Sequence, residues 1–284
     1  MKHSKKTAAV RAVSVTAAWL ANIFVVLLAL LLLVRFTLCS PSFLERRVAS
    51  SGYGQAATDE LRENFTSYGA AGGFSADVMT SLLDGLDPGE EMLAAARQMY
   101  EGGEGASYQA LEDAFYDALM ADVSARGYHA SEEIEQGVRA MAQVCRSDYE
   151  QRVTIPFLSV LRPVIDLADR ATLWAAPALA VCTGVSVWIL FALNRRRAAL
   201  AYVCQSLIAS AVLLCAVPPL LHFLVPIDSL NLRPESLKLL LSAYVKGVFN
   251  CGWACAAAVA VLAAVCCAVY VRTGKCRAKK KAPL

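Results

Sequence analysis

Ten cysteines are the most conspicuous reactive side chains in this sequence, and their spacing decides what chemistry they could do. Eight of them lie from Cys182 onward, with Cys251 and Cys255 four apart and Cys266 beside Cys267. A structural zinc centre needs four well-spaced ligands, commonly with His among them. The three histidines, His3, His129 and His222, stand near no cysteine pair. Set in apolar runs, these thiols read as small packing residues. We therefore assign no metal ligand. Cys276, in the basic end segment, is a lone juxtamembrane cysteine of the kind that palmitoylation uses in a eukaryotic host.

The acidic run Asp84-Gly85-Leu86-Asp87-Pro88-Gly89-Glu90-Glu91 has the composition of a calcium loop but not its spacing. An EF-hand places oxygens at alternate positions, Gly at the sixth and Glu at the twelfth. Asp87 followed by Pro88 and two acids reads instead as an N-cap and first helical turn. Gly102-Gly103-Glu104-Gly105 follows no strand and precedes no Lys-Ser/Thr, so it is not a phosphate loop. Asn64-Phe65-Thr66 is a glycosylation sequon whose Phe65 belongs to an apolar helical stripe, and we read it as incidental. No nucleophile elbow, His-Glu-x-x-His or paired-carboxylate pattern orders the Ser, His and acidic residues. No catalytic residue and no cofactor-binding residue is assigned, and the reading leans away from an enzyme.

The elements that must position these residues are set by composition. Hydrophobic residues make up 57% of the chain, charged residues 18%, and mean hydropathy is +0.47; soluble proteins carry about 25% charged residues. Residues 40–170 hold ten Arg and no Lys against 22 acids, a net of −12, while the remainder carries +15. Acidic and basic blocks sorted in this way, with the basic residues beside apolar runs, act on membrane topology rather than on nucleic acid.

Ala12–Val34 exceeds the 7–15 apolar residues of a signal peptide core and is followed by no small-x-small site nearby, so it is expected to remain as an anchor. Phe36-Thr37-Leu38-Cys39 has a lipoprotein-type cysteine but Leu where a small residue belongs. Ala171–Leu193, Ala198 to about Leu224 and about Val245–Val271 are the further runs long enough to span a bilayer. A short loop is expected from Val225 to about Tyr244, with Pro234-Glu235-Ser236 starting an interfacial helix. The span centres contain no ionisable residue, only Asn22, Thr183, Ser186, Gln205, Ser206, Ser210 and Asn250. This weighs against a proton-coupled pump. Ala176, Ala180 and Gly184 form a small-residue face suited to close packing.

Between the first two spans, apolar residues recur at helical spacing with no alternating strand pattern. The stripes are Leu44 and Val48; Leu61, Phe65 and Tyr68; Val78, Met79, Leu82 and Leu83; Met92, Leu93, Ala96 and Met99; Tyr108, Leu111, Phe115, Leu119 and Val123; and Ile134, Val138, Met141, Cys145, Tyr149 and Val153. Ser131 opens the last of these, expected to continue as one helix, kinked at Pro156 and Pro163, through to Arg197.

The fold expected is all-α: a polytopic membrane protein with a helical extracytoplasmic domain inserted between helices 1 and 2. Its parts are residues 1–39 (basic cytoplasmic N-terminus and first span), 40–170 (acidic helical domain), 171–274 (spans 2–4) and 275–284 (basic cytoplasmic tail). Thirteen Lys and Arg flank the presumed inner ends and four the outer ends, which places both termini in the cytoplasm. The layout resembles that of bacterial transmembrane receptors, a likeness that no motif carries; the inner segments are too short for a signalling domain.

The function expected is a non-enzymatic envelope binding, sensory or accessory protein. A transporter or channel subunit is the alternative, with a membrane-embedded enzyme ranked third. The partners expected are the lipid bilayer, another membrane protein met through the spans, and a ligand or protein at the outer domain; nucleic acid is not among them. Cys145, roughly 39 Å along the helix from the second span at 1.5 Å per residue, is expected to pack as an apolar residue unbridged to Cys39.

Overall fold

A computed structural model describes residues 2–101, 107–129, 131–154, 156–224 and 233–279, apart from the side chains of 2–8, 99, 156–161, 221, 222, 224 and 274–279. The Gly102–Gly105 stretch and the side chains of His3, Met99, His222 and Cys276 therefore lie outside the described residues. The described residues form ten α-helices and no strand. They are α1 (Lys2–Thr37), α2 (Pro41–Ser51), α3 (Tyr53–Gly72), α4 (Ala76–Ser81), α5 (Pro88–Tyr100), α6 (Gln109–Ala125), α7 (Glu132–Val153), α8 (Pro156–Leu193), α9 (Arg196–Leu224) and α10 (Glu235–Lys279). Four stretches are long and apolar enough to cross a membrane: Ala9–Thr37, Arg162–Leu193, Arg196–Leu220 and Glu235–Thr273. The chain divides into two compact units. One holds Met1–Ser40, Asp166–Ile227 and Val245–Leu284, and the other Pro41–Ile165 and Asp228–Tyr244.

In the first unit, α1 runs antiparallel to α8 and parallel to α9, and α9 runs antiparallel to α10. The register follows from side-chain pairs. The Asn194 amide donates to Ser14 Oγ at 2.7 Å, and Arg35 pairs with Asp169 at the opposite end. Ser14 and Arg35 are 21 residues apart on α1, or about 32 Å of helix, close to the roughly 30 Å of a bilayer's hydrocarbon core. Between those polar ends the packing is apolar: Ala17, Leu190 and Ala199 form one buried cluster, and Ala211, Leu214, Ala256 and Val259 another. The Ser210 hydroxyl donates to Asn22 Oδ1 at 2.6 Å, so the polar pair satisfies itself where no water can. Gly252 lets α10 approach α9 closely; a Cβ there would stand 3.2 Å from Pro218 Cγ.

In the second unit the helices start where capping chemistry puts them. Ser75 Oγ accepts from the Val78 N–H, Ser131 Oγ accepts from the Ile134 N–H, and Asp87 Oδ1 accepts from the Gly89 and Glu90 N–H groups at 2.9 and 3.1 Å. Each satisfies orphan first-turn donors. The Asp84–Glu91 run is thus a helix start, with its carboxylate used by the cap. Gly73, at φ 78°, ends α3. The apolar stripes close on one another. Leu61, Phe65, Met79, Met92, Leu119, Cys145, Tyr149 and Val153 are fully buried, and Phe65 meets Phe115 edge-to-face at 5.9 Å.

α3 and the start of α5 touch through two glycines. A Cβ at Gly54 would lie 3.3 Å from Gly89 Cα, and one at Gly89 would lie 3.1 Å from Gly54 Cα. Backbone cannot swing aside as a flexible side chain can. Gly54→Leu is therefore expected to destabilise this unit by about 1–3 kcal/mol, the usual cost of overpacking. Cys145 is the only cysteine in this unit and is fully buried, so its alkylation by N-ethylmaleimide in the detergent-solubilised protein, followed by mass spectrometry over a temperature series, reports the unit's opening. An unchanged labelling midpoint would show that the contact is slack.

Two expectations need correction. The long helix is broken rather than kinked: α7 ends at Val153, Thr154 is extended at φ −93°, ψ 126°, and α8 begins at Pro156. Pro156 has no N–H to return to the Arg152 carbonyl, so the i→i−4 ladder stops there, whereas Pro163 is accommodated within α8. Nor does a separate interfacial helix precede the last span. α10 is one 45-residue helix from Glu235, because Glu235–Lys246 contains neither Gly nor Pro and holds four Leu and two Lys, which favour helix. Its first residues belong to the second unit and its remainder to the first. Neither Cys39 nor Cys145 is in a disulfide, and Cys145 is buried in the second unit's core.

Candidate functional site

The densest polar arrangement in the second unit grows from two helices in antiparallel register. On α7, Asp148 and Arg152 are one turn apart; on α3, so are Glu60 and Asn64. Residues four apart share a helix face, and here the two faces meet. The Asn64 amide donates to Asp148 Oδ2 at 2.8 Å, the Tyr68 hydroxyl to the same oxygen at 3.4 Å, and Arg152 pairs with Glu60. Arg152 Nε also stands 3.6 Å from Asp148 Oδ1. Only 14% of the Arg152 side chain and 12% of Asp148 is exposed, so each charge depends on its neighbours for the solvation it has lost.

Glu60 then reaches a third segment. Its Oε1 accepts from the Ser236 backbone N–H at 3.0 Å and its Oε2 from the Ser236 hydroxyl at 2.7 Å. A carboxylate at a helix N-terminus satisfies orphan N–H donors and complements the dipole, so Glu60 caps α10 from 176 residues away. Phe43 of α2 packs edge-to-face on Tyr244 at 5.3 Å, and Leu240 is buried. The first ten residues of α10 are therefore held at both ends of that stretch.

The helix break completes the site. The Arg152 carbonyl, which a continuous helix would have bonded to residue 156, accepts instead from the Tyr53 hydroxyl. Beside it opens a cleft of about 360 Å³ lined by Tyr53, Met92, Gln151, Thr154, Arg233 and Leu237, among others. Burial pushes the Tyr53 hydroxyl up to about 12, with Arg152 opposing and Glu60 reinforcing. Burial, then Asp148, raises Tyr68, and burial, then Asp148, pushes the Cys145 thiol up to about 12. These groups are protonated donors at neutral pH. Glu60 and Asp148 are occupied as acceptors, so the arrangement is built for holding segments together rather than for proton transfer or nucleophilic attack.

The residues weighed in the sequence are mostly dispersed. Asn64, first residue of the sequon, is engaged by Asp148, and Phe65 is fully buried. Asp87 caps α5. His129 is exposed. Among the described residues no group of three or more His, Cys, Asp or Glu is placed to hold a metal ion. Sequence reasoning misses Glu60, Asp148 and Arg152 and sees Ser236 only as part of a helix start; the i,i+4 acid–base spacing of Asp148 and Arg152 is the local signal available. Glu112 was also missed. It lies in the α6 stripe with a side chain 7% exposed, paired with Arg146 of α7 at 3.1 Å, and a charged residue inside an apolar stripe was its signal. No protein-family model, curated protein or solved structure matches this chain.

Proposed function

We propose that this chain is a four-span membrane protein whose acidic helical unit lies outside the cytoplasm, with both termini cytoplasmic, and that it works as a non-enzymatic sensory or accessory protein of the envelope. In this reading the helical unit binds a ligand or partner, and α10 carries the consequence into the membrane. The observation that carries it is the capture of the α10 N-terminus: one helix contributes its first residues to the helical unit, where Glu60, itself paired with Arg152, holds Ser236, and the rest to the apolar unit. An event that displaced Arg152 or Glu60 would alter the restraint on a membrane-crossing helix, which gives a two-state element something local to bias.

The sidedness is supported by packing as well as by charge. Residues 41–165 and 228–244, which a four-span topology puts on one side, belong to the same compact unit. At the other end, Arg197 lies over the Tyr270 ring at 5.5 Å, bringing the start of α9 beside the end of α10 among the basic flanks. Asn22 and Ser210 are engaged with each other, and Thr183 and Ser186 with carbonyls of their own helix, which weighs against the transporter reading. Reporter fusions after Gly103 and after Leu230 are expected to read outside, and fusions after Arg197 and at Leu284 inside. A single reversed reporter would overturn the orientation. Purification in mild detergent is expected to bring down a stoichiometric membrane partner; flux through liposomes holding the chain alone would favour a channel.

A further inference from the structure

The apolar unit holds a cysteine pair that the proposed function does not use. On α9, Cys204 is buried at 6% exposure, and its thiol donates to Cys266 Sγ of α10 at 3.2 Å. Cys267 follows Cys266 directly in the sequence. Small residues line this seam: Ala211, Ala256 and Ala263 are buried, and Gly252 lies against Pro218. A disulfide has a sulfur–sulfur bond of about 2.05 Å, so the two sulfurs need to approach by only about 1.2 Å. Cys204 follows Arg196 by eight residues and Cys266 precedes Arg272 by six. At 1.5 Å per residue both thiols sit roughly 9–12 Å inside the basic-flanked end of the span. Of the other described cysteines, Cys182 and Cys215 are exposed on the apolar surface.

We propose that Cys204 and Cys266 form a reversible oxidation site that cross-links α9 to α10 within one chain. The oxidant that reaches this depth must be small and neutral, and a peroxide meets both requirements. In the first step the sulfur of one thiol attacks a peroxide oxygen; the O–O bond breaks, an S–O bond forms, and water leaves with the thiol proton. In the second step the other thiol's sulfur attacks the sulfenic sulfur; the S–S bond forms, the S–O bond breaks, and the hydroxide leaves as a second water with that thiol's proton. Two thiols and one hydrogen peroxide thus yield one disulfide and two waters. A thiol reductant reverses the change by exchange. The bond would fix the α9–α10 seam, and with it the membrane part of the helix whose first residues Glu60 holds.

The test treats the full-length protein in membranes with hydrogen peroxide, blocks remaining thiols by alkylation, and maps cross-linked peptides by mass spectrometry without reduction. The expected product is a Cys204–Cys266 peptide from monomeric chain, reversed by dithiothreitol, lost in Cys204→Ser and Cys266→Ser, and retained in Cys267→Ser. Each variant is first checked for wild-type elution and helicity. If a serine variant fails that check, iodine as a neutral oxidant on the wild-type chain decides by the same peptide. Absence of the peptide under both oxidants overturns the proposal. So does a Cys204–Cys267 peptide in its place, or a bridge found only between two chains.

Discussion

Arg152→Leu is expected to be the most damaging single change in the helical unit. It removes the one cation shared by Glu60 and Asp148 and leaves two largely buried carboxylates facing a leucine. Breaking a buried ion pair by deleting one partner costs about 3–5 kcal/mol, against a total domain stability of about 5–15 kcal/mol. The expected result is a helical unit that opens readily at room temperature, read as rapid alkylation of the otherwise buried Cys145. The cause is tested by adding Glu60→Gln and Asp148→Asn to Arg152→Leu. Removing the stranded charges should recover part of the protection, because the damage comes from unpaired charge rather than from lost volume. Wild-type protection of Cys145 in Arg152→Leu would mean that the network is ornamental, and the proposed hold on α10 would fall with it.

Raising the pH is expected to unfold the helical unit while leaving the apolar unit helical. Burial raises Tyr53, Tyr68, Tyr108, Tyr149 and Cys145, each with a neighbouring carboxylate among the causes. A group whose folded-state value is raised stabilises the fold fully below its unfolded value and loses that contribution as pH rises through the folded value. The ordinary values are 9.0 for the thiol and 10.0 for a phenol, and both Cys145 and Tyr53 reach about 12. The stability is thus intact below about pH 9 and lost between about pH 9 and 12. At roughly 1.4 kcal/mol per unit, Tyr53 and Cys145 together account for losses on the order of several kcal/mol. The chain's four Trp, at 19, 174, 188 and 253, all lie in the apolar helices. Partial loss of ellipticity at 222 nm with unchanged Trp emission, together with phenolate absorbance appearing cooperatively, is the expected signature. Phenolate appearing non-cooperatively near pH 10 would show these tyrosines to be open to water.

Glu112 and Arg146 show how little of such a network can be read along the chain. A buried carboxylate in the stripe that also holds Phe115 and Leu119 is visible as an anomaly, but the identity of its partner, 34 residues away on another helix, is not. The apolar face tells which side of α6 turns inward. It does not tell which residue of α7 arrives opposite.

By itself the sequence determined the all-helical class, the four apolar stretches, the inward stripes and the caps at Ser75, Asp87 and Ser131. Each of these is a local quantity: about 20 apolar residues are needed to cross a hydrocarbon core, a side-chain oxygen satisfies an N–H two or three residues on, and apolar residues at i, i+3 and i+4 share a face. Tertiary structure alone decided that the Arg152 carbonyl freed by Pro156 is taken over by Tyr53, that the carboxylate capping the start of α10 is that of Glu60, and that Cys204 meets Cys266. The groups in these contacts are 62 to 176 residues apart. Which of them meet depends on how helices of known faces rotate and slide against one another until buried charges are paired and backbone groups satisfied. That condition is imposed by the whole packed unit, and no window of the chain contains it.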